Sequence, residues 1–158
     1  MKKLIAIVMM LLAVCANAYA IRFCGQDLDV RADIVQSAIE RELPAFASNI
    51  GAIKHKFQIN QNLPNLPKSE DGLTMCCDVE VELTFKATTL VNGYALLRSM
   101  LCSKYGRYME ASPLKELGKR CVMWTTDSGQ VLLYTLGEKV YVHFFVARSI
   151  QLTFGSAI

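Results

Sequence analysis

Polar and apolar residues alternate strictly over residues 78–86. Because successive side chains of a strand point to opposite faces of a sheet, this alternation predicts a half-buried antiparallel strand. Its buried face would carry Val79, Val81, Leu83 and Phe85, and its solvated face Asp78, Glu80, Glu82, Thr84 and Lys86. The three carboxylates resemble an acid/base or calcium cluster, but no matching ligand loop accompanies them. A solvated face with an ion pair to Lys86 is therefore the favoured interpretation.

Apolar residues recur at helical spacing over residues 29–49, in the two series Val30, Ile34, Ala38 and Val35, Ile39, Phe46. The pattern predicts a helix that starts at a cap formed by Asp27 or Asp29 and ends at Gly51. Pro44 has no N–H to donate and clashes with the preceding turn, so we expect it to kink or interrupt this helix.

The middle of the chain predicts shorter elements. Residues 54–60 alternate and indicate a strand, and residues 61–72 form a loop rich in Pro, Asn and Gly. After Asn92 and Gly93, helical spacing predicts a second helix, although Asn-Gly is also typical of a hairpin turn. Residues 112–118 combine a cap residue, an early proline and a closing glycine, which predicts one short helical turn.

The C-terminal third predicts a β-meander. A tight turn at residues 137–138 would set the opposed pairs Leu136 with Lys139, Tyr134 with Tyr141, Leu132 with His143 and Gln130 with Phe145. The other face would hold Val131, Leu133, Val140, Val142, Phe144 and Val146. A turn at residues 147–148 would add Ile150, Leu152 and Phe154 to the Tyr/His face, so both faces would be apolar and covered. Residues 121–126 predict one more strand, joined through a turn at residues 127–129.

The first 20 residues have the parts of a secretory signal peptide. Lys2 and Lys3 give a positive start, residues 4–14 are an unbroken apolar run, and Ala18 and Ala20 are small residues suited to a cleavage site. The apolar run falls short of the roughly 20 residues that cross a bilayer. The leader has the pattern of a bacterial signal peptide, which predicts a periplasmic or secreted protein.

We expect cleavage after Ala20, with Ala18 as the alternative. Lipoprotein processing at Cys15 is disfavoured, because Val14 stands where that processing needs a small residue. The mature chain, residues 21–158, would be a single α+β domain without a transmembrane helix. It would consist of an N-terminal helix packed on a mostly antiparallel sheet, a helical excursion and a C-terminal β-meander, all stapled by disulfides.

Charge and motifs exclude several function classes. The whole chain has 17 basic and 14 acidic residues, but Lys2 and Lys3 lie in the predicted leader, so the mature chain is nearly neutral. The mature chain therefore lacks the excess of positive charge that is typical of nucleic-acid-binding proteins. The sequence has no Gly-rich phosphate loop, no G-x-S-x-G and no H-E-x-x-H motif, and it predicts no cofactor.

Cysteine usage predicts a disulfide framework, because cysteines outside the cytosol are interpreted first as disulfides. Cys76 and Cys77 would point to opposite faces of a strand and so belong to different bonds. A bond between Cys102 and Cys121, and another from Cys24 to one of the neighbours, would satisfy this geometry. The odd count would leave one cysteine unpaired or bonded to a partner. Zinc and thioredoxin-like sites are disfavoured by the missing C-x-x-C.

Catalytic candidates are few, because the chain has only two histidines, His55 and His143. His143 lies in the apolar run of residues 140–146, where a nearby cysteine could make a nucleophilic pair. A packed histidine with one satisfied nitrogen is the favoured interpretation. His55, between Lys54 and Lys56, is predicted to be exposed.

Residues 98–120 carry six basic side chains against Glu110 and Glu116. Since Arg and Tyr are frequent in interfaces, this segment predicts a surface for an acidic protein or an anionic envelope polymer. A solvated helix face is the alternative. The predicted binding residues are Arg98, Lys104, Arg107, Tyr108, Lys115, Lys119 and Arg120.

Three function classes follow. The leading one is a small exported, non-catalytic binding protein of the bacterial envelope, of inhibitor, immunity or adaptor type. The second is a structural or assembly component of an envelope complex, which would use the odd cysteine and the apolar C-terminal strand for contacts. The third is a cysteine-dependent hydrolase that uses His143.

Overall fold

The computed structural model describes residues 21–61, 66–110 and 121–146. These ranges contain two α-helices, α1 (Ala32–Asn49) and α2 (Leu90–Tyr105). Their strands are β1 (Arg22–Phe23), β2 (Gln26–Asp27), β3 (Lys54–Ile59), β4 (Asp78–Thr84), β5 (Met109–Glu110), β6 (Cys121–Thr126), β7 (Gly129–Leu136) and β8 (Lys139–Val146). The predicted α+β class is therefore confirmed. The helical turn predicted at residues 112–118 and the turn and strand predicted from residue 147 lie outside the described residues.

Six strands form one antiparallel sheet in the order β3-β4-β8-β7-β6-β5. Within the β7–β8 hairpin, Tyr134 opposes Tyr141 and Leu132 opposes His143, as the predicted turn at residues 137–138 requires. The predicted turn after β6 is also present, with Thr126 opposite Gly129. Strand β8 is paired along both edges, by β4 and by β7, so it lies at the centre of the sheet.

Both helices contribute to one core against a single face of the sheet. Val35, Ile39 and Leu43 of α1 are 1% exposed or less, and Tyr94 and Leu97 of α2 are also buried. The sheet supplies the apolar residues of β4, β7 and β8 that alternate inward: Val79, Val81, Leu83, Val131, Leu133, Val140, Val142, Phe144 and Val146. The described residues of the opposite face are mostly half-buried, and Ile150, Leu152 and Phe154, which were predicted to add to this face, lie outside the described residues.

Helix α1 starts later than the sequence predicts and without the predicted aspartate cap. The residue before the helix is Arg31, which makes no side-chain capping bond. The N–H of Ala32 instead donates to the backbone carbonyl of Thr74 at 2.9 Å. Asp27 accepts a hydrogen bond from the N–H of Asp29, two residues along. A long-range backbone contact therefore replaces the local cap.

Pro44 lies inside α1, which continues to Asn49, so the predicted interruption is wrong. Pro44 and Glu40 are both exposed, so water can reach the Glu40 carbonyl that loses its helical donor. The predicted end at Gly51 is confirmed. Gly51 has φ of 86°, and Ala52 N–H donates to the carbonyl of Ala47 at 2.9 Å. This is the Schellman arrangement, in which a left-handed residue closes the helix.

The alternative that Asn92 and Gly93 form a hairpin turn is excluded, because both residues lie in the first part of α2. Gly93 is buried where the helix passes over Phe85. A Cβ added at Gly93 would lie 2.3 Å from Cε1 of Phe85, so only glycine allows this approach. Neither described helix is long and apolar enough to cross a membrane.

The β1–β2 hairpin was not expected from the sequence. Its two turn residues, Cys24 and Gly25, have φ of 52° and 75°, the left-handed conformations that a tight two-residue hairpin uses. The hairpin places Phe23 against Phe46 of α1 and Phe144 of β8, with ring centroids 5.2 Å apart in both cases. These contacts join the N-terminal segment to the core.

Candidate binding surfaces

The half-buried face of the sheet carries a mixed row of aromatic and charged side chains. The rings of Tyr134 and Tyr141 stack with centroids 5.0 Å apart, and those of His143 and Phe145 stack at 4.1 Å. Burial, and next the carboxylate of Glu80, raise the pKa of Tyr134 to about 12. This phenol therefore stays protonated at neutral pH and can donate a hydrogen bond, but it is no general base.

Two carboxylates of β4 on this face, those of Asp78 and Glu82, have partners other than Lys86, so the predicted ion pair to Lys86 is wrong. Asp78 is 8% exposed and hydrogen bonded to Nε2 of His143. Glu82 lies between Lys139, at 2.8 Å, and Lys56, at 3.7 Å. Burial opposes ionisation of Glu82, but the hydrogen bond and charge of Lys139 hold its pKa below the ordinary value. The carboxylates of Asp78 and Glu82 stabilise the sheet.

His143 occupies the packed position favoured for it. One ring nitrogen meets the Asp78 carboxylate, the ring stacks on Phe145, and the side chain is 18% exposed. Three of the described thiols lack the lowered pKa that activates a cysteine nucleophile. Burial raises the pKa of Cys24 to about 11, that of Cys76 to about 12, and that of Cys121 above its ordinary value.

No disulfide joins any two of the five cysteines in the described part of the chain, Cys24, Cys76, Cys77, Cys102 and Cys121. The prediction of a disulfide-stapled domain is therefore wrong for this structure. Three of these thiols are buried: Cys76 and Cys77 are 0% exposed and Cys121 is 6% exposed. Cys76 belongs to the apolar core, where a thiol packs as a small hydrophobe.

The predicted basic segment divides into residues with different roles. The guanidinium of Arg98 lies over the rings of Tyr94 and Tyr108, 5.8 and 5.7 Å from their centroids. Tyr108 in turn packs edge-on against Trp124. Arg107 is exposed. Lys115, Lys119 and Arg120 lie outside the described residues.

Lys104 is exposed, and its ammonium contacts the N-terminal hairpin. Its ammonium donates to the backbone carbonyl of Arg22 and lies 5.4 Å from the ring centroid of Tyr105. Burial, and next the charge of Arg22, lower the pKa of Lys104. This lysine therefore ties the end of α2 to the start of the domain.

Helix α2 exposes apolar side chains that sequence reasoning did not single out. Val91 is 70% exposed, Leu96 44% and Met100 42%. Tyr108 is 39% exposed beside Arg98. We call these five residues, Val91, Leu96, Arg98, Met100 and Tyr108, the α2 surface. The sequence could have predicted this exposure, because helical spacing places Leu96 and Met100 outside the buried stripe of Tyr94, Leu97 and Leu101.

A second unpredicted feature is a groove of about 360 Å³ between α1 and β3. Its apolar lining is Ile39, Leu43, Pro44 and Phe57, and its polar lining is Gln36, Glu40, His55 and Lys56. The amide of Gln36 donates to the carboxylate of Glu40 at 2.6 Å. Sequence periodicity places these residues on a helix and a strand but cannot show that the two elements leave a groove.

The described residues contain no group of three or more His, Cys, Asp or Glu side chains that could hold a metal ion. Comparison of the chain with protein-family models, curated proteins and solved structures finds no match. The argument about function therefore depends on the geometry of these surfaces.

Proposed function

We propose that the chain is a small exported binding protein of the bacterial envelope that acts through a protein–protein surface without catalysis. The observation that carries this proposal is the α2 surface, on which three apolar side chains are exposed and an arginine lies over two tyrosine rings. Met, Tyr and Arg are enriched where proteins meet.

The α2 surface has a rigid centre. Arg98 contacts the faces of Tyr94 and Tyr108, and Tyr108 rests on Trp124. Trp124 is 1% exposed, and its indole N–H donates to the carbonyl of Gly106 at 3.0 Å. A side chain ordered before binding loses less conformational entropy on binding. The α2 surface favours a partner that offers both apolar side chains and an acidic group.

Export is supported by the leader pattern of the first 20 residues. Ile21, directly after the predicted cleavage site, is 1% exposed and belongs to the core. Removal of the leader would therefore leave every described core residue in the chain. Mass spectrometry of the protein from its natural host tests this part of the proposal, with a mature chain that starts at Ile21 as the expected result.

An envelope assembly component remains the second candidate, because the α2 surface would serve a permanent complex equally well. The third candidate, a cysteine-dependent hydrolase, is not favoured, since burial raises the pKa of Cys24, Cys76 and Cys121.

Photo-crosslinking in the natural host tests the surface. A photoreactive amino acid placed at Leu96 or Met100 is expected to give discrete adducts of higher mass. The matched control is Ile34 of α1, which is 39% exposed and lies on another surface. Adducts at Leu96 should disappear when Met100→Glu is added and persist when Ile34→Glu is added. The same adducts at Ile34 as at Leu96, or none at Leu96 and Met100, would contradict the proposal.

A further inference from the structure

We propose that the outer edge of β3, together with the groove between β3 and α1, binds an extended acidic peptide segment of a partner protein. The site lies apart from the α2 surface and does not depend on it. It follows from three features: an unpaired strand edge, a partly apolar groove beside it, and two lysines without any acidic side chain on β3 itself.

The edge is available for pairing. Within the described residues β3 pairs only with β4 and ends the sheet. Asn60 N–H donates to the Asp78 carbonyl at 3.0 Å. Since alternate residues of an antiparallel strand bond to the same neighbour, this bond shows which residues of β3 bond to β4. Lys54, Lys56 and Gln58 therefore direct their backbone groups to β4, while His55, Phe57 and Ile59 direct theirs outward. Each of the three outward residues offers one N–H and one C=O to an added strand.

The groove lies on the side of β3 that faces α1. Because side chains alternate along a strand, His55 and Phe57 share the groove side. Lys56 also borders the groove, but its ammonium lies near Glu82 on the other face, which it shares with Lys54. On an added antiparallel strand, the residues opposite His55 and Phe57 would also lie on the groove side. Apolar side chains at these positions would fit against Phe57, which is half-buried, and Pro44, which is exposed.

The charge on the other face selects an acidic strand. Lys56 is 3.7 Å from Glu82, but Lys139 lies closer to that carboxylate, at 2.8 Å. No ion pair in the described part of the chain involves Lys54. A second copy of β3 would bring its own Lys54 and Lys56 to this edge, and like charges opposed on neighbouring strands are destabilising. Acidic side chains that alternate with apolar ones satisfy both faces.

The probe is a synthetic peptide with the core Glu-Leu-Glu-Leu-Glu, flanked by serines and blocked at both ends. The measurement is amide hydrogen exchange by NMR on the full mature chain. At saturating peptide, exchange at His55, Phe57 and Ile59 is expected to slow by about tenfold or more. The amides of Lys56 and Gln58, already bonded to β4, should change little.

His55→Pro tests the backbone pairing. It removes one outward donor and leaves the β4 ladder intact, because proline is tolerated where the N–H of an edge strand faces away from its neighbour. Peptide affinity should fall by about tenfold with an unchanged thermal midpoint, whereas His55→Ala, which keeps the N–H, should retain most of it. If His55→Pro fails to fold, methylation of the peptide nitrogens that face β3 tests the same bonds with the protein unaltered.

Charge reversal tests the selection of an acidic strand. Lys54→Glu with Lys56→Glu should weaken binding about fivefold, as expected for the loss of two exposed ion pairs. Lys68→Glu, an exposed lysine elsewhere, is the matched control and should leave affinity unchanged.

Three results would overturn the proposal: no binding at about 1 mM peptide, binding that leaves the three outward amides unprotected, or protection of those amides by self-association without peptide. Failure of photo-crosslinking at α2 would leave this site standing, because none of these measurements involves that surface.

Discussion

Asp78 and His143 are hydrogen bonded diagonally across the β4–β8 pair. Asp78 is directly opposite Phe145, and His143 is opposite Glu80. The imidazole of His143 therefore reaches a residue two positions along the neighbouring strand, while its ring stacks on Phe145. The bond links a carboxylate that is 8% exposed to the central strand of the sheet.

Removal of either partner should destabilise the domain. Asp78→Ala and His143→Ala are each expected to lower the free energy of unfolding by about 1–3 kcal/mol, since each leaves a half-buried polar group without its bond. Urea denaturation of both single variants and the double variant measures the coupling. The double variant should lose less than the sum of the single losses, and strict additivity would refute the bond between the two side chains.

Gly93 should not tolerate a methyl group. In an open helix Gly→Ala stabilises by about 1 kcal/mol, but here the Cβ would lie 2.3 Å from a ring carbon of Phe85, which is 0% exposed. We expect Gly93→Ala to destabilise by about 1–3 kcal/mol through overpacking. Ser99→Ala, at an exposed position of the same helix, should be neutral or slightly stabilising. Partial rescue of Gly93→Ala by Phe85→Leu would identify the ring as the cause.

The stability that Glu82 supplies should depend on pH. Its pKa is lowered in the fold, so its contribution is present above the unfolded-state pKa and is lost as pH falls through the lower folded-state value. Glu82→Gln should destabilise by about 0.5–1 kcal/mol at pH 7, and the difference from wild type should vanish near pH 2. Lys139→Met should remove most of this dependence, whereas Lys86→Met should leave it. A difference between wild type and Glu82→Gln that is equal at both pH values would contradict the ion pair.

Ionisation of the Cys76 thiol should make the free energy of unfolding decrease at alkaline pH. Burial raises its pKa from 9.0 to about 12, so the folded chain retains a proton that the unfolded chain releases. The stabilisation is complete below pH 9 and declines as pH rises through this window. Unfolding of wild type and Cys76→Ala between pH 8 and pH 10.5 should therefore give the steeper decline for wild type.

The same burial predicts the reactivity of Cys76. A thiol reagent at pH 8 should modify it only after urea is added. Fast modification of Cys76 in the folded protein would contradict the buried, protonated state and would revive the hydrolase alternative.

Local patterns were sufficient for the parts of the fold that local chemistry determines. The turn at residues 137–138 fixes the β7–β8 register, because a two-residue hairpin leaves no other pairing, and Gly51 ends α1 because glycine adopts a left-handed φ readily. The cap of α1 was different, since its acceptor is the carbonyl of Thr74, far along the chain. A sequence pattern does not contain that contact.

The candidate surfaces were less predictable for the same reason. Arg98 and Tyr108 were selected from composition, yet their contact depends on how α2 crosses the β5–β6 edge. Lys104 was selected from composition in the same way, but its ammonium donates to the backbone carbonyl of Arg22. The disulfides were predicted from the expected compartment, and the compartment does not determine which cysteines the fold brings together. The groove beside β3 arises from the packing of α1, which periodicity does not describe.

Strand β8 is the eighth in chain order but the third in the sheet. Among the described strands, β8 alone connects the β3–β4 pair to the β5–β6–β7 group in the sheet. During synthesis from the N-terminus, neither group can join the other until residues 139–146 are available. A chain interrupted before Lys139 would therefore contain two groups of strands, each with an unpaired edge. If the chain crosses a membrane as an extended polypeptide, its sheet would be completed only after residues 139–146 have crossed.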